Sequence, residues 1–229
     1  IVVPHAGYKY SGRIAAAAYN TIKGKKIETA VILSPSHREY FRGICIYEGD
    51  SYLTPLGEAP VNTELRELIL QKKGPVFKGS QGHNAEHAVE VQIPFFQTIF
   101  ENIKILPVVI GEQSEENIYE ISSRLAEIAD DSIIVAASSD LSHFYPKVKA
   151  AEKDSLVEKY IRNMDYSGMQ ECLEASICEA CGGGCITALM RYSRFRKINK
   201  SKILARGDSG DISGDNREVV GYLSAVFYE

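Results

Sequence analysis

The feature that most restricts how this chain can fold is a regular exchange between two hydrophobic periods. Short apolar runs rich in β-branched residues occur at Ile1–Val3, Thr29–Leu33, Gly43–Tyr47, Ile103–Ile110, Ser132–Ala136, Lys202–Ala205 and Val219–Phe227. Between them lie longer stretches with helical spacing at Arg13–Lys23, Asn62–Lys72, Glu86–Phe100, Ser114–Ile128, Ala150–Asn163 and Gly182–Arg194. The first kind suits strands and the second amphipathic helices. Strands that alternate with helices predict a layered α/β fold, with a mostly parallel or mixed central sheet and helices on both faces. Val31-Ile32-Leu33 and Ile133-Ile134-Val135 are apolar on both sides, as expected at a sheet centre. No tandem repeat, low-complexity tract or long Pro/Gly/Ser linker divides the chain, so residues 1–229 are expected to form a single domain.

Composition narrows the function classes. Of 229 residues, 26 are Lys or Arg and 30 are Asp or Glu, a net charge of −4. A general nucleic-acid binder needs a clustered basic excess, which this balance does not supply. No apolar run approaches the ~20 residues of a membrane span. The chain opens Ile1-Val2-Val3-Pro4-His5 with neither an initiator Met nor a signal-peptide pattern, so residues are expected to precede it. Five cysteines, four of them between Cys172 and Cys185, fit a reducing cytoplasm better than a secreted disulfide framework.

Histidines mark the chemistry. His5 follows Ile-Val-Val-Pro, His37 follows Val-Ile-Leu-Ser-Pro-Ser, and His143 follows Ile-Val-Ala-Ala-Ser-Ser-Asp-Leu-Ser. Each lies just past the carboxyl end of an apolar strand, where open α/β sheets bind ligands. If those strands are parallel neighbours, one sheet edge gathers three imidazoles and the carboxylate of Asp140. The bland alternative is three unrelated loop histidines, each bonding a local carbonyl.

The cysteine segment admits several readings. Cys178, Cys181 and Cys185 have C-x2-C-x3-C spacing, but no standard iron–sulfur run matches, and helical residues follow at once. A Cys178/Cys181 redox pair lacks a thioredoxin-like context. Cys45, Cys172 and Cys185 suit small buried core positions. Cys181 precedes Gly182-Gly183-Gly184 and a helix, and free N–H groups at that helix start are expected to favour its thiolate. Glu86, His87 and Glu90 crowd another helix start, where acid–base work and simple dipole complementarity both apply. Gly207–Asp215 alternates Asp and Gly, but lacks the Glu that closes a calcium loop, and reads as a structured turn.

Six segments in order resemble a known family. They are Pro4-His5-Ala6-Gly7-Tyr8-Lys9-Tyr10-Ser11-Gly12, Ser34-Pro35-Ser36-His37, Glu86-His87-Ala88-Val89-Glu90-Val91-Gln92-Ile93-Pro94, Ser138-Ser139-Asp140-Leu141-Ser142-His143, Ala180-Cys181-Gly182 and Ser209–Asp215. Together they resemble the Memo family, called protein B of the AmmeMemoRadiSam system in prokaryotes. The resemblance implies a fold like that of class III extradiol dioxygenases. It also implies copper or iron held by His5, His37 and Cys181, with Asp140 and His143 lining the cavity and Tyr10 at its wall. A peptide or small-molecule ligand, and association with the radical-SAM partner of that system, are further implications. The family commonly has Pro where Cys185 stands, so a second thiol here adds a disulfide or soft-ligand option. The family's N-terminal segment, with an aromatic residue for the cavity, is missing from this sequence.

Three functional readings follow. The first is a metal-dependent redox protein, because a thiolate in place of a carboxylate favours copper, zinc or thiolate-bound iron. The second is a non-catalytic peptide- or small-ligand-binding module. The third is a metal-free hydrolase with Cys181 as nucleophile, His5 or His143 as base and Asp140 as orienter. Glu86 and His87 are expected beside the ligand pocket in each case.

Overall fold

A computed structural model describes residues Ile1–Glu229. A nine-stranded mixed sheet runs β10-β11-β1-β8-β2-β7-β3-β6, with β9 paired to β11 off this path. Its centre is parallel. β1 (Val2–Val3) pairs with β8 (Ile133–Ser138), β8 with β2 (Thr29–Pro35), and β2 with β7 (Lys104–Ile110). β2 is buried along its whole length, which is why its residues are apolar on both faces.

The sheet becomes mixed toward its edges. β3 (Ile44–Tyr47) runs antiparallel to β7 and parallel to β6 (Val76–Gly79). At the other side β11 (Val219–Tyr228) is antiparallel to β1, β10 (Lys200–Asp208) and the short β9 (His143–Tyr145). A separate hairpin joins β4 (Ser51–Thr54) to β5 (Gly57–Pro60).

Helices flank the sheet. α1 (Tyr8–Ile22) packs on β10 and β11, as does α6 (Lys147–Asn163). α8 (Gly183–Phe195) packs on β8 and β2 and against α5 (Glu115–Ile128) and α7 (Tyr166–Glu174). α2 (Thr63–Leu70) leans on α5. One cluster of buried apolar residues runs through the domain, from Val2 through Leu33 and Ile110 to Ile186 and Leu223. None of the helices is long and apolar enough to cross a membrane.

Most of the expected elements are present; two helical stretches differ in their bounds, and β4, β5, β6, β9 and α7 are additional. The stretch Glu86–Phe100 is two helices, α3 (His87–Glu90) and α4 (Ile93–Ile99), because Pro94 suits only the first turn of a new helix. α1 begins at Tyr8 rather than Arg13, its polar first turn hiding the helical period. The Asp/Gly loop is tied by its own side chains: Asp211 accepts from the Asp208 N–H, and Lys147 Nζ lies 3.0 Å from Asp208 Oδ2. A four-residue helix, α9 (Gly210–Ser213), sits inside that loop.

Candidate metal and thiol site

Parallel pairing of β1, β8 and β2 sets three carboxyl ends side by side, and the site forms there. His5 lies two residues past β1, Asp140 two past β8 and His37 two past β2. Asp140 ties the first two ends together, since its Oδ1 accepts the backbone N–H of His5 at 2.8 Å and of Ala6 at 3.3 Å. Glu86, which caps α3, ties the third. It accepts the His37 backbone N–H at 2.6 Å, the His37 Nδ1–H at 2.9 Å and the Ala88 N–H at 2.9 Å.

Cys181 arrives from the loop before α8. Its Sγ is 3.2 Å from His5 Nε2 and accepts the Asp140 N–H at 3.3 Å. The ligating atoms of His5, His37 and Cys181 all lie within 4.8 Å of one another, and those of His37, Glu86 and His87 form a second such group. The rings of His5, His37 and His87 are mutual neighbours, with centroids 5.1, 5.3 and 5.1 Å apart.

The tautomer of His5 follows from hydrogen-bond accounting. The carbonyl of Pro4 can only accept, so the atom of Gln92 that faces it at 2.9 Å is Nε2, which also donates to Ser138 Oγ at 2.9 Å. Gln92 Oε1 then accepts from the Tyr19 hydroxyl at 2.8 Å. Ser138 spends its one proton on the Ala88 carbonyl at 2.7 Å. The remaining lone pair of Ser138 Oγ must therefore accept from His5 Nδ1–H, 2.9 Å away. His5 Nε2 is left with a free lone pair directed at Cys181. His37 reaches the same state because its Nδ1–H is given to Glu86. Fixing Nδ1 this way is how proteins aim Nε2 at a ligand.

Burial governs the charges. It pushes the imidazoles of His5, His87 and His143 below their ordinary value, His5 furthest, with the neighbouring histidines adding to the effect on His5 and His87. Burial also lifts the Asp140 carboxyl to about 6, against the two backbone N–H groups that bond it. Glu86 goes the other way: burial opposes its charge, but the three N–H donors prevail and hold it at about 2.

Cys181 corrects an expectation. Burial, and then the Asp140 carboxylate, push its thiol up to about 12 rather than down. The Asp140 and Gly182 N–H groups and the Ser139 hydroxyl do favour the thiolate, but burial and the Asp140 charge outweigh them. Of the other thiols, Cys172 and Cys178 are hydrogen-bond neighbours, away from the histidines. All five cysteines are free, and only Cys181 joins a metal-type group. Cys185 is wholly buried in α8, its thiol raised by burial and by Cys181.

The remaining expected site residues divide. His143, on β9, faces a cleft of about 420 Å³ that Cys181, Leu141, Leu173 and Glu179 also line. Tyr10 is elsewhere: it sits in the first turn of α1 under Lys9 and lines a shallow depression with Arg13 and Asp208. His83 uses both ring nitrogens locally, with Nδ1 taking the Tyr52 hydroxyl proton at 2.8 Å and Nε2 facing the Cys45 carbonyl at 3.2 Å. Gln92, Ser138 and Gln113 were not singled out as functional from the sequence. A glutamine between Val91 and Ile93 in an apolar helical run was the available signal.

With this geometry in view, the comparisons with known proteins are informative. The sequence profile described as Memo-like protein matches residues 1–226. The chain belongs to the Memo-like family. A MEMO1 family protein of Metallosphaera sedula is 38% identical over 231 residues, spanning 99% of this chain and 82% of that protein. One from Methanosarcina mazei is also 38% identical, over 98% of this chain and 84% of that protein. The Thermotoga maritima member is 34% identical over 100% and 82%. Among solved structures, the uncharacterized protein JW3007 from Escherichia coli K12 matches with a TM-score of 0.54 at 16% identity, covering 90% of this chain and 91% of that one. That likeness supports the α/β fold alone.

Proposed function

We propose that this Memo-like protein is a metal-binding redox protein whose ion, copper or iron, is held by His5, His37 and Cys181. The observation that carries the reading is the convergence of two imidazoles, each with Nδ1 tied to a protein oxygen, on a sulfur 3.2 Å from His5 Nε2. Two borderline nitrogen donors and one soft thiolate fit copper and thiolate-bound iron better than magnesium or calcium. The ion would supply one-electron chemistry at the floor of the cleft. Ligation also accounts for a cysteine whose thiol is otherwise costly to ionise, since metal binding exchanges the thiol proton for the ion.

Around that centre the chain's own residues hold and move protons. Asp140 keeps Oδ1 on two backbone N–H groups and leaves Oδ2 4.0 Å from His5 Nε2, free to carry a proton near neutral pH. His143 faces the cleft as a neutral imidazole able to accept one. A small molecule or a peptide side chain fits a cleft of this size. The reducing cytoplasm, where buried thiols stay free, is the compartment we assign, and association with a radical-SAM partner rests on the family resemblance alone.

The cleft also favours a second reading, a binding module that holds its ligand without turnover. The metal-free nucleophile is disfavoured by a thiol near 12 beside a carboxylate. The deciding experiment is elemental analysis of anaerobically purified protein offered Cu(I), Fe(II) and Zn(II) in turn, beside Cys181→Ser. Near-stoichiometric copper or iron that is lost in the variant is expected. No bound metal under any condition would overturn the redox reading in favour of the module.

A further inference from the structure

The proposed ligand set leaves His87 unexplained, although its ring touches both of the others. Two independent observations bear on it. The first is spacing. With metal–nitrogen bonds of ~2.0–2.1 Å, an imidazole centroid lies about 3.2 Å from its ion, so two rings at a tetrahedral angle are about 5.2 Å apart. The three centroid separations here are 5.1, 5.3 and 5.1 Å. The second is orientation. His5 Nδ1 is held by Ser138 Oγ at 2.9 Å, His37 Nδ1 by Glu86 Oε1 at 2.9 Å, and His87 Nδ1 faces the same Glu86 oxygen at 3.3 Å. His5 and His37 therefore keep Nε2 for a ligand, the arrangement that outer hydrogen bonds impose on ligating histidines, and His87, which approaches the same Glu86 at 3.3 Å, leaves its Nε2 unengaged. His83, with both nitrogens engaged, shows what a structural histidine in this protein looks like.

From this we infer that His87 is a third imidazole ligand, giving a site of three histidines and one thiolate; the inference rests on the proposed His5/His37/Cys181 centre. Glu86 is the holder rather than a ligand, since its carboxylate already serves His37 twice and Ala88 once. The donor atoms of His87 group with those of His37 and Glu86 but not with those of His5 and Cys181, so ligation requires its 41%-exposed side chain at the start of α3 to swing and give up the 3.3 Å approach to Glu86. Three imidazoles and a sulfur would fill a four-coordinate shell, and withdrawal of His87 alone would open one position in it.

The test uses the full chain loaded anaerobically with Cu(I), comparing wild type, His87→Ala and Cys181→Ser. X-ray absorption on the wild type should count three imidazole nitrogens and one sulfur, and His87→Ala should count two and one. Competition with a chromogenic Cu(I) chelator should show affinity at least ~10-fold weaker in His87→Ala. Two imidazoles in the wild type, or wild-type affinity in His87→Ala, would overturn the assignment while leaving the His5/His37/Cys181 centre standing. A wild type that binds no copper, or binds it without sulfur, removes that centre and this ligand together.

Discussion

Ser138→Ala tests the account of His5 most directly. The substitution removes one oxygen from a site where the Ala88 carbonyl, one Gln92 N–H and the His5 Nδ1–H all converge. Ser138, Ala88 and Gln92 are fully buried and His5 is 2% exposed, so water cannot replace the lost partner. Each orphaned buried group costs about 1–3 kcal/mol, and the low end for all three gives about 3 kcal/mol. For a domain of this size each kcal/mol lowers the melting temperature by about 2–4 °C, so a fall of about 6–12 °C is expected. Urea unfolding with calorimetry reads the stability. Long-range ¹H–¹⁵N spectra of the metal-free protein read the tautomer: wild-type His5 should show a protonated Nδ1 and a bare Nε2, and Ser138→Ala a mixture. A protonated Nε2 in the wild type would refute the hydrogen-bond accounting outright. A stability loss under about 1 kcal/mol would refute the claim that the three groups depend on this oxygen.

Three further outcomes are expected. Gly182→Ala points a Cβ at the Ser138 carbonyl, a backbone atom that cannot yield, and should cost about 2–3 kcal/mol in chemical denaturation; wild-type stability would show that the loop before α8 is looser than described. His83 is kept neutral by burial, its value lowered from 6.5 to about 4. Between those two pH values the unfolded chain takes up a proton that the folded chain refuses, so stability is full above pH 6.5 and falls as the pH drops toward 4. The share of His83 is about 3 kcal/mol, so a His83→Phe variant should lose that much less stability than the wild type over this range, the rest of the slope belonging to His5, His87 and His143; an equal loss in the two proteins would refute the assignment. Thiol labelling of the metal-free protein at pH 7.5 should be at least ~100-fold slower than for free cysteine, because Cys45, Cys178 and Cys181 are all pushed up to about 12. Rapid modification of Cys181 would revive the nucleophile reading.

The sheet was legible in the sequence because its central strands are buried on both faces and announce themselves as continuous apolar runs. Thr29–Leu33 became Thr29–Pro35, and Ser132–Ala136 became Ile133–Ser138. Elements made by tertiary pairing were not. β9 is three residues with no apolar pattern, formed because β11 offers it an edge, and the β4–β5 hairpin carries only intermediate or exposed residues at most positions. The same division holds at the site. His5, His37 and Asp140 could be placed from strand ends alone. The ionisation of Cys181 could not, since it depends on how deeply the sulfur is buried and on the Asp140 carboxylate beside it. His87 was visible as polar density beside Glu86, but its contact with the other two rings needs the α3–β2 packing that only the fold supplies.

The order of the groups along the chain has a consequence for biogenesis. His5 and Cys181 touch across 176 positions of sequence, and the strand that fixes Asp140 between them is made late. A chain emerging from the ribosome displays His5 and His37 long before the sulfur exists, and β1 and β2 cannot take their places until β8, which lies between them, has been translated. The nascent protein therefore cannot bring His5, His37 and Cys181 together until β8 and the loop before α8 have been made. A ligand that needs all three of those groups at once therefore meets them late, once most of the sheet has been made.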